Sequence, residues 1–410
     1  MGVWSDIARR FAFVEYDGPP LEPLELYTKK SGEEIVGQLY NFTDKGGREI
    51  SLRPEMTPTL ARMAAAKANA LRKPIRWFSM PQLFRYERQQ RGRLREHFQL
   101  NVDIIGETDV TADAELLAVA IEIMRGCGLT SHDVRARVSD RRLLRAILAV
   151  LGVSDEQSDA VFGVVDKIDR QPRDVSREKL GAIGVSANSI ERLFELMGDV
   201  TLDRIERDYS ASSPEVAARV NDFRRYFSYL EALGVLDWVT IDLKIVRGLA
   251  YYTGIVFELF DAKGELRAIC GGGRYDTLLQ SLGGVDLPAL GFGMGDVVLA
   301  ELLRDRRLLP SAALGPQVFI AAEATALAGD VRRAATALRA HGVSVEYALR
   351  EQQLMKQVKA AKSAGASFIL TLHDERDATA PQADDGKTLR HSWSPAPPPE
   401  WETLITELGL

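Results

Sequence analysis

The chain has 410 residues, 46% of them hydrophobic, and a formal net charge of -6 at pH 7. This composition favours a globular protein of two or three domains, and the acidic balance excludes a protein that coats nucleic acid through bulk positive charge. The sequence has no apolar run of about 18 residues and no secretory signal, so we expect a cytoplasmic protein that does not contact a membrane. The two cysteines and five histidines lack metal-ligand spacing, so no metal site is predicted.

The N-terminal part of the chain alternates short strand-like runs with helical ones. Residues 33–42 and 49–52 are predicted strands on either side of a turn at 44–47. A helix is predicted to follow, with Thr57 as its N-cap and Pro58 as its first residue.

The next stretch, LFRYERQQRGRLREHFQLNVDIIG, is rich in arginine. Residues 75–86 and 97–105 are predicted strands of an antiparallel hairpin with a long loop around Gly92. Five arginines occupy eleven positions of this hairpin: Arg85, Arg88, Arg91, Arg93 and Arg95. Guanidinium groups on a strand and its loop suit a polyphosphate ligand. A solvated loop whose arginines pair with Glu87 and Glu96 would have the same sequence, so the residues alone leave both interpretations open.

The second strand of this hairpin has a side-chain period of two, which predicts two different faces. The predicted polar face contains His97, Gln99, Asn101 and Asp103. The predicted apolar face, which would cover a hydrophobic core, contains Phe98, Leu100, Val102 and Ile104. We therefore expect a polar surface beside the arginines.

Changes of pattern along the chain predict its domains. Residues 1–140 and 239–312 contain the strands of one predicted domain, and the charge-rich helical residues 141–238 are predicted to be an insertion in it. Residues 316–410 alternate strands with helices before a proline-rich tail, which is typical of an α/β domain with a parallel sheet. The predicted fold class is α+β, with an antiparallel-sheet domain, a helical insertion and a C-terminal α/β domain.

Four stretches outside the helical segment carry a family resemblance. In order they are ELYTKKSGEEIVGQLYNFTDKGGREISLRPEMTPTLARM, FRYERQQRGRLREHFQLNVDIIG, IVRGLAYYTGIVFE and GGGRYDTLL. The second resembles motif 2 of the class II aminoacyl-tRNA synthetases, in the form found in histidyl-tRNA synthetase, and the first resembles the segment before it. The last two resemble the histidine-specific motifs, and the C-terminal section resembles the anticodon-binding domain. The resemblance implies the class II catalytic fold.

The resemblance also implies a reaction and its nucleotide site. It implies a homodimeric ligase that joins histidine to tRNA(His), using ATP accompanied by Mg²⁺. Positioning and charge stabilisation carry such a reaction. By resemblance, Arg85 and Arg247 are the catalytic cations at the α-phosphate of ATP. Glu87 would bind the adenine amino group, Arg93 the γ-phosphate, and His97 would stack on adenine.

A histidine pocket is implied by the same resemblance. Its residues are Glu55, Thr57, Gln99, Asp103, Tyr251, Tyr252, Gly272 and Tyr275. Glu55 and Thr57 match the residues that bind the α-amino group, and Tyr251 and Tyr252 match the pair beside the imidazole. A pocket whose polar groups pair with an imidazole rejects apolar analogues, which would leave those groups unpaired.

The chain departs from the family pattern at several positions. Asp296 and Val297 replace the Glu-Arg of motif 3, so a cation expected at the γ-phosphate is missing. Ala250 replaces an aspartate, and His97 replaces a phenylalanine with a ring that is expected to gain charge below about pH 6.5. The segment before Pro19, which matches the motif 1 proline, is shorter than in the family.

These departures leave a second function open. Some synthetase-like chains no longer aminoacylate tRNA and instead regulate the ATP phosphoribosyltransferase of histidine biosynthesis. Such regulators generally lack the anticodon-binding section that this sequence is predicted to contain, so we favour the ligase. A class II synthetase for another amino acid conflicts with the two histidine-specific motifs.

Overall fold

The computed structural model describes residues 1–28, 36–88, 90–198, 200–246, 251–309, 315–323, 327–373 and 388–392. Contacts divide the chain into two compact units, Met1–Leu309 and Pro310–Leu410. The strands of the first unit are β1 (Val14–Glu15), β2 (Leu21–Pro23), β3 (Asn41–Thr43), β4 (Glu49–Leu52), β5 (Ile75–Ser79), β6 (Gln82–Phe84), β7 (Glu96–Ile105), β8 (Val134–Asp140), β9 (Val239–Ile241), β10 (Ile255–Asp261), β11 (Cys270–Arg274) and β12 (Ala289–Gly295). Its helices are α1 (Gly2–Arg10), α2 (Glu25–Thr28), α3 (Thr57–Ala66), α4 (Val110–Gly126), α5 (Arg141–Val150), α6 (Asp155–Val165), α7 (Arg173–Ala182), α8 (Ala187–Leu196), α9 (Leu202–Tyr209), α10 (Pro214–Ala232), α11 (Leu278–Gly283) and α12 (Asp296–Asp305).

The main sheet of the first unit has nine strands among the described residues. Its order is β1-β5-β7-β12-β11-β10-β8-β9, with β6 paired to β7. The neighbouring strands are antiparallel, except that β1 with β5 and β8 with β9 are parallel. A separate antiparallel sheet has the order β2-β4-β3. The predicted α+β class with a largely antiparallel sheet is confirmed.

The arginine-rich hairpin is also confirmed. β7 pairs with β5 from Ile75 opposite Ile105, and with β6 from Gln82 opposite Phe98. Pro81 lies between β5 and β6 and has no backbone N–H for a ladder, which fits the break between the two strands. The loop between β6 and β7 holds the arginines at the end of the longest strand of the sheet.

Helix α4 covers one face of this sheet. Its N-cap Asp109 accepts a hydrogen bond from the Thr111 backbone N–H at 2.9 Å. Leu100, Val102 and Ile104 of β7 are buried in the same hydrophobic core as α4, as their alternation predicted. Phe98 is 37% exposed, so its assignment to the core was wrong, because β7 has there passed the part of the sheet that the core covers.

A buried ion pair joins α4 to the sheet. Arg274 of β11 donates from Nη2 to the Asp113 carboxylate at 2.5 Å, and the two side chains are 1% and 3% exposed. Burial raises the pKa of Asp113 to about 6, although the charge of Arg274 lowers it. An unpaired charge at this depth would be strongly destabilising, so the pair fixes α4 against β11.

The helical segment joins two neighbouring strands of the main sheet. β8 ends at Asp140, helices α5 to α10 follow, and β9 begins at Val239 and pairs with β8 in parallel. Residues of these helices, such as Leu144 and Phe223, belong to the same hydrophobic core as the sheet. The segment is therefore packed into the first unit.

Two local predictions need correction. Thr57 is the first residue of α3 and not its N-cap, which is Met56, so Pro58 occupies the second helical position. In the predicted strand 33–42, the described part forms a strand only from Asn41, and residues 33–35 lie outside the described residues.

The second unit has the predicted parallel sheet. Its elements are β13 (Val318–Ala322), α13 (Ala328–Ala340), β14 (Val345–Tyr347), α14 (Leu354–Ser363), β15 (Phe368–His373) and β16 (Thr388–Ser392). The strand order is β14-β13-β15-β16 and the pairs are parallel. Among the described residues of both units, no helix is long and apolar enough to cross a membrane.

Candidate functional site

A cavity of about 650 Å³ lies beside the arginine-rich hairpin, which is a volume typical of a ligand site. Four parts of the first unit line it: the loop and start of β7, the β10–β11 hairpin, the junction of β12 with α12, and Arg170 of the helical segment. Among the predicted residues it brings together Arg85, Glu87, Arg93, His97 and Gln99. We call this space the arginine cavity.

Backbone contacts hold Arg85 at the edge of this cavity. Its Nε donates to the Pro54 carbonyl oxygen at 2.9 Å, and its backbone N–H donates to the Arg95 carbonyl oxygen at 2.9 Å. One nitrogen of the guanidinium is thus committed to the protein. A planar guanidinium held in this way is suited to bind a phosphate through its other nitrogens.

Glu87 and Arg93 form an ion pair inside the cavity. Nη2 of Arg93 lies 2.5 Å from Oε1 of Glu87, and its Nε also contacts Oε2. Glu87 is 7% exposed, so its charge is largely withdrawn from water. This pair has to open if Glu87 is to accept the adenine amino group and Arg93 is to reach the γ-phosphate.

Two other loop arginines, Arg91 and Arg95, have protein partners as well. Arg91 pairs with Glu301 and Asp305 of α12 at 3.2 and 3.4 Å. The guanidinium of Arg95 lies 4.4 Å from the ring centroid of Tyr86. Arg91 and Arg93 therefore pair with carboxylates, as the solvated-loop interpretation expected for Glu87, while Arg85 and Arg93 line the cavity.

His97 is part of the cavity wall and carries no charge near neutral pH. Burial, and secondly the charge of Arg85, lower the pKa of its imidazole to about 4. The expectation that this ring gains charge below about pH 6.5 is therefore corrected downwards. A neutral imidazole remains available to stack on a flat ring.

A second cluster, which we call the tyrosine cluster, adjoins the cavity along β7. The Tyr275 hydroxyl donates to Oδ1 of Asp103, and the Tyr251 hydroxyl donates to Oε2 of Glu55 at 3.3 Å. The rings of Tyr251 and Tyr275 are 5.9 Å apart, and Tyr251 and Tyr252 are 5.0 Å apart. Five of the predicted histidine-binding residues thus lie together.

Burial makes Asp103 an unusual carboxyl group. It is 3% exposed, and desolvation raises its pKa to about 7, although the hydrogen bond from Tyr275 lowers it. Burial also raises the pKa of Tyr275 well above its usual range. A carboxyl that titrates near neutrality can accept an N–H or donate a proton within the working range.

Glycines of β12 make the space that these side chains occupy. Gly291 pairs with Asp103 and Gly295 with Gln99 across the sheet. A Cβ at Gly291 would strike the Asp103 carboxylate, and one at Gly293 would lie 2.8 Å from Cδ of Gln99. The glycine at every second position therefore leaves one face of β12 open.

Comparisons with known proteins agree with this arrangement. The family model described as "Histidyl-tRNA synthetase" matches residues 4–296. A curated "Histidine--tRNA ligase" of Opitutus terrae is 46% identical over 376 residues, which cover 90% of this chain and 85% of that protein. The chain belongs to the histidyl-tRNA synthetase family.

Solved structures show the same fold. The crystal structure of histidyl-tRNA synthetase from Nostoc sp. PCC 7120 has a TM-score of 0.77 at 24% identity and covers 90% of this chain and 85% of its own. A structure from Bacillus halodurans, described as "ATP phosphoribosyltransferase regulatory subunit/histidyl-tRNA synthetase", has a TM-score of 0.74 at 22% identity and covers 91% of this chain and 92% of its own. At these identities both support the fold alone.

Three further residues are implied by the histidyl-tRNA synthetase resemblance. Arg247, which is predicted to be the second catalytic cation, lies outside the described residues, as does Ala250. Gly272 pairs with Phe292, and a Cβ there would meet the Phe292 backbone and side chain, so only its backbone can contribute to a site. Thr57 is partly buried at the first turn of α3, two residues after Glu55.

The motif 3 position of the family lies at the start of α12. Val297 and Val298 line the arginine cavity there, and Asp296 is the first helical residue. Burial raises the pKa of Asp296. This part of the wall contributes no cation.

Sequence analysis missed several residues of the cavity wall. Arg170, Glu258 and Arg267 line it from distant parts of the chain, and no local pattern signalled this. Gly291 and Gly293 did have a signal, because the alternation in GFGMG predicts an open face on a strand. Within the described residues, no cluster of three or more potential ligands could hold a metal ion.

Proposed function

We propose that this chain is a histidine--tRNA ligase, which activates histidine with ATP and transfers the histidyl group to tRNA(His). One observation supports this most directly. The side chains of Gln99 and Asp103 share one face of β7, with Gln99 at the arginine cavity and Asp103 in the tyrosine cluster. A site for a polyphosphate thus adjoins a site for a small polar ligand.

The tyrosine cluster has the groups that histidine requires. The imidazole offers an N–H donor and a ring acceptor, and the ionised Asp103 carboxylate is a suitable acceptor for the N–H. Glu55, which is 5% exposed, is a buried carboxylate for the α-ammonium group. Tyr251 and Tyr275 supply flat walls and hydroxyl groups between the two carboxylates.

The arginine cavity is suited to the chemistry of adenylate formation. A carboxylate oxygen of histidine attacks the α-phosphorus of ATP, the bond from that phosphorus to the bridging oxygen breaks, and its electron pair leaves with pyrophosphate. Arg85, and Arg247 by resemblance, stabilise the charge that develops at the α-phosphate. Glu258 is a carboxylate of the cavity wall that would be available to Mg²⁺ on the phosphates, since this ion commonly combines one or two carboxylates with phosphate oxygens.

The transfer step needs the terminal adenosine of tRNA(His) at the same place. Its ribose hydroxyl attacks the carbonyl carbon of histidyl-adenylate, and AMP leaves.

We propose further that the chain acts as a cytoplasmic homodimer, in line with the family resemblance. Sedimentation of the purified protein tests the dimer, which a monomer at assay concentrations would contradict.

The regulatory alternative is not favoured. The curated relatives that match most of this chain are named as ligases, whereas the structure described partly as a regulatory subunit supports the fold alone. The described C-terminal unit also contains the α/β sheet that such regulators generally lack.

Histidine-dependent exchange of labelled pyrophosphate into ATP tests the first step. We expect exchange with histidine and none above background with other amino acids, and we expect labelled histidine to be transferred to tRNA(His). Intact histidine binding without exchange would overturn the ligase and favour a regulatory protein. Exchange with a different amino acid in place of histidine would overturn the assignment of histidine as the substrate.

A further inference from the structure

Two arginines on the wall of the arginine cavity have no role in the arrangement described so far. Arg267 belongs to the β10–β11 hairpin, and Arg170 belongs to the turn between α6 and α7. Both are exposed. Within the part of the chain that the structure describes, neither forms an ion pair, whereas Arg91 and Arg93 are paired with carboxylates.

The backbone that carries Arg267 is fixed on both sides. The Asp261 carboxylate, which is 3% exposed, accepts the backbone N–H groups of Glu265 at 3.1 Å and Leu266 at 2.8 Å. Ile269 is buried, and its backbone N–H donates to the Leu259 carbonyl oxygen at 2.8 Å. Arg267 therefore projects from an ordered turn, which limits the entropy lost when its side chain binds a ligand.

Arg170 is also anchored. It ends a 3₁₀ turn at Ile168–Arg170, and its backbone N–H donates to the Lys167 carbonyl oxygen at 2.9 Å. The neighbouring Asp169 pairs with Lys244 at 2.7 Å, which ties this turn to the segment that follows β9. The helical segment thus contributes a cation to the cavity.

The start of α12 explains why such cations matter. Val297 and Val298 form that part of the wall, so no guanidinium from this helix faces the ligand. The terminal phosphates of a nucleoside triphosphate carry most of its charge, and more negative charge develops on them as pyrophosphate leaves. Charges of this kind are stabilised by donors that are in place before the reaction.

We propose that Arg267 and Arg170 bind the terminal two phosphates of ATP, the future pyrophosphate, in place of a cation from α12. This assignment rests on the proposed function, because it places the nucleotide in the arginine cavity. Guanidinium groups bind phosphate oxygens through two parallel N–H donors, and two of them suit a pyrophosphate better than one.

Pyrophosphate exchange with Arg267→Gln, Arg170→Gln and the double variant tests the proposal. We expect each single change to raise the KM for ATP and for pyrophosphate by about 10- to 100-fold, with the KM for histidine unchanged. Arg267→Lys should recover part of the loss. Lys263→Gln is a matched control, because it removes the same charge from the same hairpin outside the cavity. Unchanged KM values for ATP and pyrophosphate in the double variant would overturn the proposal.

A binding measurement separates this proposal from the activity. Calorimetric titration with pyrophosphate and Mg²⁺, and separately with AMP, needs no turnover. We expect the double variant to lose pyrophosphate affinity and keep AMP affinity, and this result would support the arginine pair even if histidine-dependent exchange were absent from the wild type. An equal loss of affinity for pyrophosphate and for AMP would contradict the proposal. Normal exchange with a selective loss of tRNA charging would also contradict it and would indicate a contact with tRNA.

Discussion

The Tyr275 hydroxyl donates a hydrogen bond to the Asp103 carboxylate, and both side chains are buried, at 2% and 3% exposure. The two residues lie 172 positions apart in the chain: Asp103 is on β7, and Tyr275 comes directly after β11. Because the hydrogen bond stabilises the ionised form while burial disfavours it, Asp103 is balanced close to its midpoint near neutral pH. The charge of the tyrosine cluster should therefore change measurably with pH near neutrality.

Asp103→Asn should remove part of the pH dependence of stability. The pKa of Asp103 is raised from 3.8 to about 7, so the folded protein holds more protons than the unfolded chain between these values. The free energy of unfolding of the wild type therefore falls as pH rises across that window, by on the order of 4 kcal/mol from this group. Urea denaturation of both proteins at about pH 4 and pH 8 measures the difference. Asp113 titrates in both proteins and cancels, so equal pH dependence would contradict the prediction.

Arg93→Gln should destabilise the fold, even though Arg93 is a loop residue. The change leaves Glu87 with a buried charge, which is expected to lower the free energy of unfolding by about 1–3 kcal/mol. Glu87→Gln combined with Arg93→Gln should recover most of this loss, because no charge is then left unpaired. A double-mutant cycle by urea denaturation gives the coupling. Additive effects of the two changes would show that the ion pair is absent in solution.

His97 should remain neutral throughout the usual assay range. Its pKa of about 4 places its titration below about pH 5, so the KM for ATP should not change between about pH 5 and pH 8 on its account. Exchange kinetics of the wild type and His97→Phe over that range test this. A rise of KM below about pH 6.5 in the wild type, absent from His97→Phe, would mean that the imidazole is more accessible to water than the structure shows.

The sequence alone predicted those parts of the candidate site that lie on a single strand. The period of two on β7 placed Gln99 and Asp103 on one face, because alternation along a strand is a property of the local backbone. It failed for Phe98, whose exposure depends on where the hydrophobic core ends. Arg170 and Arg267 could not be predicted, since only the packing of separate segments brings them to one cavity.

Gly291→Ala should disrupt histidine binding more than it disrupts nucleotide binding. A Cβ at this position would strike the Asp103 carboxylate and lie 3.0 Å from the Tyr275 hydroxyl, and neither group can retreat because both are buried. Displacing this pair should raise the KM for histidine by about 10- to 100-fold, which corresponds to the loss of one buried, charge-assisted hydrogen bond. The KM for ATP should change little, since residue 291 does not line the arginine cavity.

Gly163→Ala is the control for Gly291→Ala, because no atom lies within 4 Å of a Cβ at that exposed position of α6. It should leave both KM values unchanged. If Gly291→Ala also left the KM for histidine unchanged while remaining folded by circular dichroism, Asp103 and Tyr275 would not contact the amino acid. Gly293→Ala should have a smaller effect, because the Gln99 side chain that it would meet is only partly buried and can rotate towards the cavity.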